Sequence, residues 1–278
     1  MIHQILKSKS SRLFLILGGF FIANAIVAEF MGVKIFSLER SLGADPVNWN
    51  IMGLPFSFNL TTGVLLWPVV FIMTDIINEY YGHKGVRFLS YLAASLITYG
   101  FVMLYGAIQL APADWWQSSR AGVGIPDMNN AFAAIFGQGL WIIFGSLTAF
   151  LIGQIADVLV FHRIKKITGE RWIWMRATGS TLVSQLIDSY IVLFIAFYVG
   201  PRVNPGNGLP MSLQQVFSIG TGNYIYKFAM AIALTPVIYL VHAWIENYLG
   251  RDLAEKMRRS AMKDSQTEDG FDNIPTAG

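Results

Sequence analysis

The chain of 278 residues is 54% hydrophobic and only 13% charged, about half the charged share of an ordinary soluble domain, which excludes a typical cytosolic globule. It contains no cysteine, so disulfide frameworks, thiolate zinc sites, iron–sulfur clusters and thiol catalysis are excluded together. The formal net charge of +3 does not indicate nucleic acid, because the Lys and Arg residues form no single basic face.

Six stretches in chain order are apolar enough to cross about 30 Å of hydrocarbon, which takes about 20 residues of helix. They are residues 13–30, 56–77, 88–110, 131–161, 178–199 and 217–244. The expected fold is an all-α integral membrane protein, a six-helix transmembrane bundle. Residues 1–250 are expected to form the six-span membrane domain, and residues 251–278 a charged tail whose polar end, from Asp264 onward, is expected to be disordered. Before the first span lie Lys7, Lys9 and Arg12, and Ala23, Asn24 and Ala25 resemble a signal-peptide cleavage site. The apolar run continues to Phe30, which favours a retained span.

The connecting segments give an independent reading of orientation. Fifteen basic residues fall before span 1, between spans 2 and 3, between spans 4 and 5, and after span 6, against four (Lys34, Arg40, Arg120 and Arg202) in the opposite loops. This asymmetry places both termini in the cytoplasm and the chain, as a multi-pass protein, in the bacterial cytoplasmic (inner) membrane. On the outer side, residues 31–55 are apolar enough to lie along the membrane surface, and Trp115 and Trp116 read as an aromatic belt. Pro68 and Pro236 are expected to kink or break spans 2 and 6, and Gly137, Gly139, Gly145 and Gly153 to allow close helix approach in span 4.

An ionisable side chain near the bilayer centre costs at least about 2.5 to 3.5 kcal/mol on insertion scales, so each needs a partner or a watery cavity. Lys227 in span 6 and Asp188 in span 5 both fall near mid-membrane at about 1.5 Å of rise per residue. They are natural partners, either as a structural ion pair or as a substrate or proton site. Gln185 precedes Asp188 by three residues and Asn223 precedes Lys227 by four, so each amide shares a helix face with its ionisable neighbour. Asp75 and Glu79, four apart with Asn78 adjoining, place two carboxylates on one face near the cytoplasmic end of span 2. There they need a cation, a proton or a donor-rich ligand, or else balancing by Lys84, Arg87 or Arg163. Asp157 sits toward the cytoplasmic end of span 4, and with Asp75 it is a proton-coupling candidate. Asn59, Gln138 and Gln154 add polar atoms to the same helices. Glu29, at the outer end of span 1, reads as simply exposed. No nucleotide-binding, zinc-protease or nucleophile-elbow motif occurs, and the four histidines lack ligand spacing. No cofactor, metal site or enzymatic activity is expected.

The run Thr74, Asp75, Ile76, Ile77, Asn78, Glu79, Tyr80, Tyr81, Gly82, with Lys84 and Arg87 behind it, resembles the signature of the YhhQ/VUT family of queuosine precursor transporters. So do residues 180–188 at the head of span 5, and Tyr226 and Lys227 followed by Thr235 and Pro236. The resemblance implies uptake of deazaguanine-type bases for tRNA modification, with membrane lipid as surroundings, no nucleic-acid partner, and self-association left open. A guanine-like base offers a ring N–H and an exocyclic amine that one carboxylate can accept together; Asp188 ranks first for this, then Glu79, Asp75 and Asp157. Lys227 or an amide would donate to the ring carbonyl, and Trp67, Tyr190 or Tyr224 would stack on the heterocycle. Two other classes stay open. One is a substrate-binding S component of an energy-coupling-factor vitamin transporter, although Ala23, Ala25 and Ala28 lack the usual AxxxA spacing. The other is an intramembrane enzyme built on the acids.

Overall fold

A computed structural model of the protein describes residues 8–51, 54–168, 173–203 and 209–269, with some side chains inside these ranges left out. The chain is mostly helical. Four helical segments are long and apolar enough to cross a membrane, Lys9–Met31, Lys84–Gln109, Met128–Ala149 and Leu182–Val203. A fifth results if Leu213–Ala233 and Pro236–Leu249 count as one broken span. They match spans 1, 3, 4, 5 and 6 of the hydropathy reading.

Span 2 is different. Helix α1 (Lys9–Met31) is followed by β1 (Ile35–Ser37), the single turn α2 (Leu38–Ser41), β2 (Trp49–Ile51), β3 (Leu54–Phe56) and β4 (Asn59–Thr61). Strand β1 pairs antiparallel with β4, Phe36 opposite Leu60, and β2 with β3, Asn50 opposite Pro55. A 3₁₀ turn, Thr62–Leu65, then leads into α3 (Trp67–Gln109). The first eleven residues of the expected helix, 56–66, are therefore strand and turn, and an all-helical chain is not what residues 35–65 form. The reason lies in the pattern: Leu54, Phe56, Phe58 and Leu60 alternate with Pro55, Ser57, Asn59 and Thr61, a period of two that suits a strand. Pro68, expected to kink a helix, is the second residue of α3, where its missing N–H has no intrahelical acceptor to lose.

Two further breaks have clear causes. Helix α3 turns at Gly82, whose φ of 68° and ψ of −176° is a conformation that only glycine adopts without strain. Beyond α3 come α4 (Asp114–Gln117), α5 (Met128–Thr168) and α6 (Ile173–Leu193). A π-helical stretch, Phe194–Val199, runs on into α7 (Gly200–Val203), followed by α8 (Leu213–Ala233) and α9 (Thr235–Leu249). The interruption between α8 and α9 falls at Leu234, two residues before Pro236, as the proline predicts. Helix α10 (Arg251–Asp269) begins after Gly250 and carries the first part of the polar tail as helix.

The described residues cluster into two compact units. One comprises Met1–Val27, Leu66–Leu96 and Met230–Gly278. In it the start of α1, the turn at Gly82 and the end of α9 meet: Lys9 Nζ donates to the Tyr248 carbonyl at 2.9 Å, and the Tyr81 hydroxyl donates to the Ser10 carbonyl at 2.7 Å. Leu13, Ile76, Ile77, Tyr80 and Ile245 are its most buried large side chains, and Ala261 of α10 packs on Gly82.

The other unit comprises Ala28–Leu65 and Ile97–Ala229. Here α5 and α6 approach closely at Gly145, where an added Cβ would lie 3.0 Å from the Val192 carbonyl oxygen. The strand segment closes over the end of α1. A Cβ on Gly63 would stand 2.5 Å from the Ala28 carbonyl oxygen, and the Thr62 hydroxyl donates to the Met31 carbonyl. Glu39 ties the segment together by accepting from the Phe58 N–H at 2.7 Å and from the Ser37 hydroxyl at 2.9 Å. Desolvation pushes its carboxyl upward, but these hydrogen bonds, which favour the ionised form, outweigh it and hold the group below its ordinary value.

Candidate functional site

Helices α6 and α8 meet because small residues let them. A side chain at Gly220 would strike the Tyr190 ring at 2.7 Å, and one at Gly222 would press on Leu60. The contact is fastened by a hydrogen bond of 2.8 Å between the Tyr190 and Thr221 hydroxyls. Further along α8, Lys227 Nζ donates to Asp188 Oδ2 at 2.6 Å, with side-chain exposures of 6% and 19%. The two charges expected near mid-membrane are thus an ion pair, with Lys227 buried and Asp188 half-buried. A charge-assisted bond this short is among the strong ones, and the separation of either group from its partner would leave an uncompensated charge.

The two amides expected beside this pair differ in what they do. Asn223 is committed to the protein: its side-chain oxygen accepts from the Thr61 N–H at 3.3 Å and its NH₂ group donates to the Thr61 hydroxyl at 3.4 Å. It thereby satisfies the end of β4, where backbone groups leave regular structure and must still find partners. Gln185 is buried with its side-chain oxygen unpartnered among the described residues, and so is the Ser189 hydroxyl one turn along the same helix. Each such orphan costs about 1–3 kcal/mol, and orphans are rare enough in folded chains to call for a cause. Since Asp188 lies three residues from Gln185, helix α6 presents an ionised oxygen and an idle acceptor on one face. Tyr190 packs its ring on Phe217 at 5.7 Å, and Tyr224 is half-buried.

Glu29, read from the sequence as an exposed helix end, is buried at 4% exposure. Its Oε2 accepts from the Ser146 hydroxyl of α5 at 3.0 Å, and the charges whose fields reach it are those of Asp188 and Lys227. The sequence carries one signal for this, an acid inside an otherwise apolar helix.

Asp75, Asn78 and Glu79 belong to the other compact unit. Asp75 and Asn78 are exposed. Glu79 is engaged by His242 Nε2 at 3.2 Å and by the Arg258 guanidinium at 3.4 Å. Arg258 also binds Glu246, and the second His242 nitrogen lies 3.2 Å from the Tyr80 hydroxyl. Among the described residues the guanidinium on Glu79 is that of Arg258, on the tail helix α10, a cation outside the expected Lys84, Arg87 and Arg163. The side chains of Asp157, Gln138 and Gln154 lie outside the described ones. A shallow hollow of about 560 Å³ opens among Ile35, Ser37, Arg40, Asn48 and Asn59. It is lined by the strand segment and does not include the ion pair.

Residues 61–241 match the family model described as "Putative vitamin uptake transporter". The chain is 33% identical over 195 residues, 69% of its length and 76% of the relative's, to a "Probable queuosine precursor transporter" of Bacillus subtilis. It is 28% identical over 77% of its length, and 87% of the relative's, to the "Queuosine precursor transporter" of Escherichia coli. A "Probable queuosine precursor transporter" of Haemophilus influenzae is 24% identical over 66% of the chain and 68% of the relative. No solved structure matches the chain. These relatives are named transporters rather than enzymes, and the matched region carries the apolar helices after α1 together with both partners of the ion pair. The chain belongs to the vitamin uptake transporter family.

Proposed function

We propose that this transporter imports queuosine precursors, 7-deazaguanine-type bases, across the bacterial inner membrane into the cytoplasm, where they supply tRNA modification, and that the proton gradient drives the uptake. The observation that carries the substrate reading is the Asp188–Lys227 ion pair beside the idle oxygen of Gln185. A deazaguanine presents two donors, the ring N–H and the exocyclic amine, next to a carbonyl acceptor. Asp188 and Gln185 offer acceptors, and Lys227 offers a donor. A base inserted between Asp188 and Lys227 exchanges one charge-assisted bond for several, and removes the cost of the orphaned amide oxygen.

Six crossings with both termini cytoplasmic fit this reading. The start of α1, the Gly82 turn and the end of α9 lie together in one unit, and the basic residues before span 1, between spans 2 and 3 and after span 6 belong to that unit. The second crossing is then made by residues 67–81 together with the strand and turn before them. Irregular backbone at membrane depth is tolerated where protein buries it or where it lines a watery cavity. The exposed Asp75 and the occupied Glu79 are better suited to the cytoplasmic face than to the base.

In cells unable to make the precursor, deletion of this protein should abolish queuosine in tRNA when precursor is supplied at low concentration, and restoration with Asp188→Asn should fail. Unchanged queuosine after deletion refutes the substrate reading. Uptake by the purified chain alone in proteoliposomes separates it from an S component, which needs an ATPase module.

A further inference from the structure

Of the two carboxylates the sequence offers for the proton, Asp75 is exposed and the side chain of Asp157 lies outside the described ones. We propose that Glu29 is the proton-binding group of the transport cycle, acting on the substrate site by competing with Asp188 for Lys227.

Two carboxylates and one ammonium lie in one compact unit, and the charges of Asp188 and Lys227 are the ones whose fields reach Glu29. With all three ionised the group carries a net negative charge in a region where charge is expensive. The structure pairs Lys227 directly with Asp188 at 2.6 Å. Glu29 is left with a hydroxyl, Ser146 at 3.0 Å, and no ion pair of Glu29 occurs among the described residues. A hydroxyl is the partner that suits both protonation states, since it donates to a carboxylate and accepts from a carboxylic acid. The elements around Glu29 supply no other charge among the described residues. Helix α5 contributes Ser146, α6 Asp188 and α8 Lys227. The Thr62–Leu65 turn contributes backbone and the Thr62 hydroxyl, which is spent on Met31, and α3 contributes Phe101, stacked on Phe30. Gln185, on the Asp188 face and more than nine-tenths buried with its oxygen unpartnered among the described residues, marks the same place as a ligand site.

The consequence is a coupling of definite sign. With Glu29 protonated, the site is neutral and Lys227 serves Asp188 alone, so both are available to a base inserted between them. With Glu29 ionised, Lys227 is shared between two carboxylates and its donors are withheld from the base. Proton and base therefore favour each other's binding, as symport requires, and by linkage each raises the other's affinity by one factor. Glu29 stands two residues from the end of α1, in the outer half by the sequence orientation, where a proton arriving from outside meets it first.

The proposal rests on the deazaguanine reading for its substrate but not for its proton, and the test treats the two apart. Binding of a cyano-substituted 7-deazaguanine to the purified full-length protein should weaken about 5- to 150-fold as pH rises through the titration of Glu29, the range of ordinary coupling. In Glu29→Gln the binding should become independent of pH, and accumulation in proteoliposomes driven by an acid-outside gradient should be lost. Gradient-driven accumulation that survives Glu29→Gln overturns the proposal, as does a folded Glu29→Gln protein that fails to bind at acid pH. A wild-type protein that binds no deazaguanine defeats the substrate reading alone. The proton site is then decided by difference infrared spectroscopy. A protonated carboxyl band present in the wild type, absent in Glu29→Gln and displaced in frequency in Ser146→Ala supports it, and no such band refutes it. Ser146→Ala keeps the carboxyl, so it also serves if Glu29→Gln does not fold.

Discussion

Lys227→Met and Asp188→Asn remove opposite halves of the same ion pair, and they should not be equally harmful. Both side chains are largely buried, and removal of one member of such a pair costs about 3–5 kcal/mol, because the other is left charged and unpaired. At about 2–4 °C of Tm per kcal/mol for a chain of this size, each change should lower Tm by about 6–20 °C. The neighbouring Glu29 breaks the symmetry. After Asp188→Asn, Lys227 still has one carboxylate whose field it feels, which places this variant at the mild end. After Lys227→Met, two buried carboxylates share no cation, which places it at the severe end. Its deficit should shrink on acidification, because a protonated carboxyl needs no cation. The double variant should be less harmful than the sum of the singles by about 0.5–3 kcal/mol, the usual coupling of contacting groups. Thermal unfolding in detergent, followed by intrinsic tryptophan fluorescence at acid and at alkaline pH, reads all of these. Equal single losses with additive doubles, or Asp188→Asn as the more severe change, would refute the three-group account.

Gly63→Ala should lower Tm clearly, since the new Cβ would sit 2.5 Å from a backbone oxygen that cannot rotate away and overpacking costs about 1–3 kcal/mol; Gly106→Ala, with nothing within 4 Å, should be neutral or slightly stabilising. Arg258→Ala should loosen α10 from Glu79 and Glu246, seen as faster hydrogen exchange over residues 251–261, and unchanged protection there would contradict the latch. Glu39→Gln should lower stability at neutral pH. The wild-type advantage is full above the ordinary value of 4.5 and is lost as pH falls through the depressed folded value, so Tm curves of the two proteins that stay parallel down to acid pH would count against it.

Much of this architecture is legible in the amino-acid sequence. Four of the expected spans, and a fifth where the broken pair α8–α9 counts as one, follow from apolar length, because lipid imposes the same requirement on every crossing helix. The Asp188–Lys227 pair follows from depth and the cost of burying a lone charge. The strand segment is hidden by the averaging of hydropathy over a window. Averaged together with the apolar residues that follow them, residues 54–61 pass for helix, yet they alternate with period two, and alternation rather than mean decides their conformation. Arg258 as the partner of Glu79 is not legible, because the pairing joins residues 179 positions apart and depends on where α10 folds back.

Glu29 shows why linear depth fails as a guide to exposure. Counted along α1, it is near the end of the helix, where a carboxylate ordinarily meets water. The count assumes that the chain leaves the helix outward. Here it returns: β1 pairs with β4, the Thr62 hydroxyl reaches the Met31 carbonyl, and Gly63 lies against Ala28. The strand segment that stands in place of the first half of span 2 therefore covers the helix end and converts an exposed acid into a buried one. The same return brings Thr61 to Asn223, four residues from Lys227, so the irregular backbone and the ionisable cluster are held by one set of contacts. A substitution that frees the segment, such as Asn223→Ala, should therefore change the environment of Glu29 without touching it, and a shift of its infrared carboxyl band in that variant is the measurement that would reveal the connection.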